Sequence, residues 1–270
     1  MKIELTNEQI EELKKNYPKY GLLKSSKILN ISPHILKRYI KEFNLIKNRK
    51  IEFSIFEKIT QKEVVWFLGF LWADGSIYKD SIEISISEKD YDDVYRILSS
   101  FGNWNTRSRT RLLNNKNYIC KTIYANDKKI REFLDEHNYK EKSLKSPTKI
   151  LEKIPEKLKK YFFRGYIDGD GCFSYKNKNN NRHYFSLTGN INMDWSEVTE
   201  LFKKLEIKYS LKILPRKTGN CSSIESYSQE DIIKIGNYIY DGEYDNIGLK
   251  RKFESFLHMK NNKKRINQWK

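Results

Sequence analysis

The sequence predicts an α+β protein: two pseudo-symmetric repeats, each running helix–strand–strand–helix–strand–strand–helix, behind a small all-α module. Three observations lead there. Two apolar, helix-length strings, FLGFLWADG at 67–75 and FRGYIDGDG at 163–171, both end in an acid and a glycine, and their last acids, Asp74 and Asp170, stand 96 positions apart. After each string the apolar residues switch to period two. The first fifty residues follow neither pattern and carry three short helix signals instead.

Residues 1–50 form the first unit. Thr6-Asn7-Glu8-Gln9 reads as a capping box opening a helix with Ile10 and Leu13, which Tyr17-Pro18 should end. A second helix fits 22–29, Asn30-Ile31 turns, and Ser32-Pro33 caps a third helix through Phe43. Ile35, Tyr39, Ile40 and Phe43 give this helix an apolar face, with His34, Lys37, Arg38 and Lys41 elsewhere around it. The fifty residues hold 12 basic and 5 acidic side chains. Three short helices with a basic last one suit a helix-turn-helix module whose third helix enters a DNA groove through those four residues.

Residues 51–59 read as a linker, tacked to the body by Phe53 and Phe56. The first repeat spans 60–150. Thr60-Gln61-Lys62-Glu63 resembles another capping box, and its helix runs to Ala73. In Ile82–Ser87 the isoleucines face one way and Glu83, Ser85 and Ser87 the other. Helical spacing returns at 90–101, strand pattern at 104–125, and a third helix fits 127–138. The second repeat, with a basic tail, spans 151–270. Pro155 opens the helix that ends at Asp170; strands fit 172–176 and 183–188, a helix 192–205, strands 208–216 and 221–227, and a helix 229–240.

Composition narrows the function. The 270 residues contain 52 Lys and Arg against 35 Asp and Glu, a formal net charge of +17, which points to a polyanionic partner. Cys120, Cys172 and Cys221 lack C-x-x-C spacing, which argues against a disulfide framework or a zinc site. No apolar run reaches membrane-spanning length and residues 1–20 do not read as a signal peptide, so the expectation is a soluble, intracellular protein with no membrane partner.

The strings carry the chemistry. Residues 64–73 are apolar nearly all round, as in a buried helix. Asp74 then faces the negative pole of that helix, at a cost of about 0.3–1 kcal/mol before desolvation is counted. Asp170 repeats the placement, which suggests compensation by a bound divalent metal such as Mg²⁺. Gly69 and Gly165 share a motif position, where a mid-helix glycine costs roughly 1 kcal/mol relative to alanine. Close packing of the two helices at these glycines would account for them and bring the acids side by side. Paired carboxylates and metal in a basic protein describe a phosphodiesterase.

At this point the residues resemble a family. FLGFLWADG and FRGYIDGDG look like the two signature motifs of LAGLIDADG homing endonucleases in their single-chain, two-repeat form. The repeat order is the family's αββαββα unit, the stretch from Lys142-Ser143-Leu144 through Pro155 is similar to its inter-repeat segment, and Ile247–Lys252 resembles its close. The N-terminal module resembles the extra DNA-binding module of some members.

The resemblance implies a DNA-binding saddle with the paired acids reaching across the minor groove. It implies a site-specific, Mg²⁺- or Mn²⁺-dependent endonuclease acting as a monomer on a long pseudo-symmetric duplex site and leaving short 3′ overhangs. Asp74 and Asp170 are then the catalytic, metal-binding acids, with the carbonyls of Ala73 and Gly169 as further ligands. Glu88 and Lys89 fit the polar positions around the acids, where the second repeat holds Gly189-Asn190. Lys142 and Lys250 fit the lysines following each third helix, with Lys252 competing for the latter place. Trp72 stands where the family often has its first Asp, which the second repeat keeps as Asp168. An alternative on the same scaffold is an intron RNA maturase or a non-cleaving DNA-binding regulator. The expected setting is the cytoplasm or nucleoid of a bacterial or phage-infected cell, or an organelle.

The strands supply candidate DNA contacts. Arg107, Arg109 and Arg111 share one strand face, as do Lys208, Ser210, Lys212 and Arg216, with Tyr209, Leu211 and Ile213 on the other side. The segment 250–270 adds eight Lys or Arg and one acid, suited to phosphate contacts.

Overall fold

The computed structural model describes residues 4–45, 51–79, 81–113, 116–176, 182–215 and 219–261. The chain divides into two compact units, residues 1–51 and 52–270.

The first unit holds three helices, α1 (Asn7–Tyr20), α2 (Leu22–Leu29) and α3 (Pro33–Glu42). The Thr6/Gln9 capping box forms in both directions. Pro18 does not end α1, contrary to the sequence expectation. It lies in the last turn, where its missing N–H costs one bond, and the helix runs on to Gly21 at φ 73°. Asn30, left-handed at φ 52°, closes α2, and Ser32 caps α3 by accepting from the Ile35 N–H. Leu13, Leu36 and Tyr39 are buried at the centre, with Ile35, Ile40 and Phe43 packed around them. The sequence pattern missed Leu36.

The second unit begins with a single helical turn, α4 (Ser54–Glu57), whose Phe56 is buried against Phe67 and Phe133. Next come α5 (Lys62–Asp74), β1 (Gly75–Tyr78), β2 (Ser81–Ser87), α6 (Glu88–Ser99), β3 (Asn105–Leu113), β4 (Lys116–Asn126) and α7 (Lys128–Glu136). A short connector, α8 (Thr148–Lys153), leads to α9 (Lys159–Asp170), β5 (Gly171–Lys176), β6 (Arg182–Asn190), α10 (Ser196–Lys204), β7 (Ser210–Leu214), β8 (Cys221–Ser226) and α11 (Gln229–Tyr240). The basic segment after Lys250 opens as a further helix, α12 (Lys250–Asn261). The fold is therefore two αββαββα repeats. Each has a four-stranded antiparallel sheet of the same order, β1-β2-β4-β3 and β5-β6-β8-β7.

Several local expectations are corrected. The capping box at Thr60 does not form: α5 starts one residue later, with Gln61 extended at the cap and no side-chain bond. Glu83 takes the face opposite the isoleucines, as expected, and is buried there, paired with Arg107 at 2.5 Å. Leu211 and Ile213 take the face opposite Lys212 but stay 57% and 64% exposed, since β7 is an edge strand. Glu88 and Lys89 open α6, which starts two residues ahead of the expected 90.

The centre of the unit is the pairing of α5 with α9. Val64–Trp72 and Phe162–Asp168 are buried throughout. A Cβ on Gly69 would lie 1.9 Å from the Phe162 carbonyl oxygen, and one on Gly165 would lie 2.1 Å from that of Trp66. No side chain larger than hydrogen fits at either crossing point, so the two backbones touch there.

Candidate active site

The crossing fixes where the two helices end. A Cβ built on Gly169 would stand 2.3 Å from Ala73 Cβ and 3.3 Å from Asp74 Oδ2, so the C-termini of α5 and α9 lie against each other. Asp74 is exposed and Asp170 half-buried. Burial pushes Asp170 up to about 7, and the Asp74 charge adds to the shift, while Lys142 and Lys252 oppose it. Asp74, though its side chain reaches solvent, is also raised, first because the packed helix ends desolvate it, against the pull of Lys142 and Lys252.

Two lysines supply the positive charge. The Lys142 ammonium donates to the carbonyls of Leu71, Trp72 and Ala73 at 3.2, 2.8 and 2.7 Å, capping the end of α5 where carbonyls have no intrahelical partner. Burial pushes Lys142 down to about 8, with Asp170 and Asp74 working the other way. The Lys252 ammonium, buried in α12, donates to the Gly171 carbonyl at the end of α9, and burial followed by Arg251 lowers its pKa. Lys250 has a side chain 66% exposed that pairs with Glu254 at 3.9 Å. The structure thus puts Lys252, not the expected Lys250, at the second helix end. The two are 200° apart around a helix, a difference the basic run Lys250-Arg251-Lys252 does not reveal.

Beside Asp74 opens a cleft of about 300 Å³ whose lining includes Lys89, Asp90, Asp168, Gly169 and Arg251. Lys89 therefore reaches the site, whereas exposed Glu88 pairs with Lys121 at 3.5 Å. Asp90 accepts two N–H groups from Arg251, at 2.5 and 2.9 Å, and the Ser87 hydroxyl at 2.9 Å. Sequence reasoning missed this pair, which joins residues 161 positions apart. Asp168 is buried and accepts from Trp66 Nε1 at 2.8 Å and from the Leu249 N–H at 3.0 Å. Its counterpart Trp72 is buried edge-on to Tyr139, whose hydroxyl donates to the Leu71 carbonyl at 2.9 Å.

Each lysine-bearing segment is held by the other repeat. Leu144, after Lys142, accepts from the Asp194 N–H at 3.0 Å, and Ser146 Oγ accepts from the Glu197 N–H at 3.3 Å. Asp93 of α6 accepts from the Lys250 N–H at 2.9 Å, and Arg96 donates to the Asn246 carbonyl at 2.5 Å.

The candidate contact residues lie as follows. His34, Lys37, Arg38 and Lys41 are exposed on α3, Arg38 donating to Tyr39 Oη at 3.0 Å. Arg107 and Arg109 share the face of β3 turned away from the isoleucine side, with Arg107 committed to Glu83 and Arg109 exposed. Arg111 lies on the same strand, and its side chain falls outside the described residues, as does Arg216. Lys208 is exposed ahead of β7, while Lys212 contacts buried Glu225 at 2.8 Å.

Residues 157–248 match the family model of the LAGLIDADG-like domain. The second repeat of this chain is therefore similar to a LAGLIDADG-like domain. Its match covers α9 through α11; α5 through α7 lie outside the matched stretch but repeat the same element order. No curated protein matches the chain by sequence. Among solved structures, the chain is similar to the homing endonuclease I-WcaI bound to its DNA recognition sequence, at 14% identity over 74% of this chain and 91% of that one, with a TM-score of 0.49. It is similar to the I-LtrWI LAGLIDADG homing endonuclease bound to target DNA, at 15% identity over 74% and 88%, with a TM-score of 0.44. A third likeness is to full-length DUF199/WhiA from Thermatoga maritima, at 15% identity over 78% and 66%, with a TM-score of 0.41.

The paired ends of α5 and α9 suit a hard divalent cation in their donor chemistry. Asp74 raises the pKa of Asp170, and Asp90 raises that of Asp74, so both carboxylates gain from added positive charge. Carbonyl oxygen has two lone pairs, so the Lys142 bond to Ala73 does not exhaust that ligand. Among the described residues no group of three His, Cys, Asp or Glu is placed to hold a metal ion. Among the described residues no helix is long and apolar enough to cross a membrane.

Proposed function

We propose that the chain is a site-specific, metal-dependent double-strand DNA endonuclease, with Asp74 and Asp170 as its catalytic acids. The observation that carries this reading is the contact of α5 and α9 at Gly69 and Gly165, which brings one acid from each repeat together with a half-buried Lys142 at one helix end and a buried Lys252 at the other. The +17 charge and the LAGLIDADG-like match over 157–248 support it.

Asp74, Asp170 and the carbonyls of Ala73 and Gly169 would hold Mg²⁺ or a similar cation, which supplies Lewis-acid polarisation of the scissile phosphate when bound. The chain's own groups do the rest. Lys142, lowered by burial to about 8, keeps a positive charge beside the acids at neutral pH while it holds the three carbonyls at the end of α5. Lys142 and Lys252 oppose the negative charge that builds on phosphate. Lys89 adds a cation at the mouth of the cleft. Arg109 and Lys208 supply exposed groove contacts, and His34, Lys37, Arg38 and Lys41 supply a second contact area on the N-terminal unit.

The test is cleavage, in Mg²⁺, of the uninterrupted allele of the locus that carries this gene. The wild-type chain should cut both strands, and Asp74→Asn with Asp170→Asn together should cut neither. A double variant that still cuts at the wild-type rate overturns the assignment.

A further inference from the structure

Two acids sit where a DNA-binding surface should have none. Strand register puts Glu83 opposite Tyr124 and Arg107 opposite Thr122, so all four share one face of the first sheet. That face is opposite the one carrying buried Ile82, Ile84 and Ile123. In the second sheet, Ser186, Ser210 and Glu225 are aligned across three strands, with Lys212 opposite Ser223 on the same face. Buried Phe185, Leu187 and Ile224 take the other face. These are the faces that hold the arginines and lysines expected to meet DNA. A carboxylate there repels phosphate, yet each sheet has one, and both are buried.

Each acid holds a basic residue. Glu83 accepts from Arg107 at 2.5 Å, and the Arg107 guanidinium carbon lies 5.0 Å from the centroid of the Tyr124 ring. Glu225 accepts from Lys212 at 2.8 Å, from the Tyr227 hydroxyl at 2.6 Å and from the Tyr184 hydroxyl at 2.9 Å. Burial raises the Glu225 carboxyl, but Lys212 and the two tyrosines outweigh it and hold it below the usual range. The cations remain accessible, their side chains 34% and 42% exposed. A buried ion pair is a weak source of stability, because desolvation offsets the attraction. What it does provide is geometry: a long basic side chain that would follow any phosphate is held at one place on the face.

The geometry points to Glu83 and Glu225 as specificity-determining positioning residues, which fix Arg107 and Lys212 to read base edges in the major groove, one in each half-site. Guanine is the base a fixed Arg107 would select, through its O6 and N7 acceptors. The inference rests on the endonuclease reading and adds to it the source of sequence discrimination.

The experiment is selection of bound duplexes by the full chain from a randomised double-stranded DNA pool without Mg²⁺, followed by sequencing. Glu83→Gln should lose about tenfold in base preference at positions of one half-site only, and Glu225→Gln at positions of the other. Releasing Arg107 to a phosphate should also steepen the salt dependence by about one contact. Folded variants that enrich the wild-type sequences overturn this inference alone. A wild-type chain that enriches nothing overturns the DNA reading with it. If both variants lose their fold by circular dichroism, the acids are stability residues and the inference falls.

Discussion

Trp66 Nε1, in the first motif helix, donates to Asp168 Oδ2, in the second, at 2.8 Å. The same oxygen accepts the Leu249 N–H at 3.0 Å, just ahead of the helix that carries Lys252. One buried carboxylate therefore ties α5, α9 and the start of α12 together. Asp168→Asn keeps an acceptor and should cost about 1 kcal/mol or less. Asp168→Leu strands two buried donors and should cost about 2–4 kcal/mol. Urea unfolding of the three proteins measures the difference.

The same residue gives a pH signature. Burial pushes Asp168 up to about 7, against the pull of the Trp66 and Leu249 N–H groups. Between about 4 and 7 the folded chain holds a proton that the unfolded chain has released, so stability falls as pH rises through that window and levels off above it. Asp168→Asn removes this share. Its stability should drop less than that of wild type between pH 5 and pH 8, as read from urea midpoints.

Gly69 and Gly165 are fixed by contact rather than by torsion. Alanine at either position improves helix propensity by roughly 1 kcal/mol, but its methyl would stand 1.9 or 2.1 Å from a carbonyl oxygen of the facing helix. Backbone on both sides leaves little to yield. Gly69→Ala and Gly165→Ala should each lose roughly 3 kcal/mol net or more, and thermal melting will show it.

Lys252 and Lys250 separate by function. Lys252→Met removes a buried cation from the end of α9 and should lower DNA cleavage by about a hundredfold. Lys250→Met alters an exposed side chain and should stay within about threefold of wild type. Rates on one duplex in Mg²⁺ decide between them. Equal effects would place neither lysine at the reacting phosphate.

Much of this architecture was legible in the sequence, for identifiable reasons. The motif helices and β2 announced themselves because a buried helix is apolar all round and a half-buried strand alternates. The crossing was legible because glycine inside such a helix is unfavourable unless something must come close. The Asp90–Arg251 pair was not, since its partners are 161 residues apart and no local period links them. The burial of Glu83 was not legible either, because alternation records which face a residue takes and not what covers it. Leu211 and Ile213 point the expected way, but the edge position of β7 leaves them uncovered.

The segments around Lys142 and Lys252 are each pinned by the opposite repeat, through Asp194 and Glu197 on one side and Asp93 and Arg96 on the other. Neither half-molecule by itself carries both helix-end acids with their lysine-bearing segments held in place. The duplication is thus an obligate heterodimer written into one polypeptide, with the stretch between α7 and α9 as its tether. Severed there, the halves would regain activity only as a mixed pair and not as two copies of either.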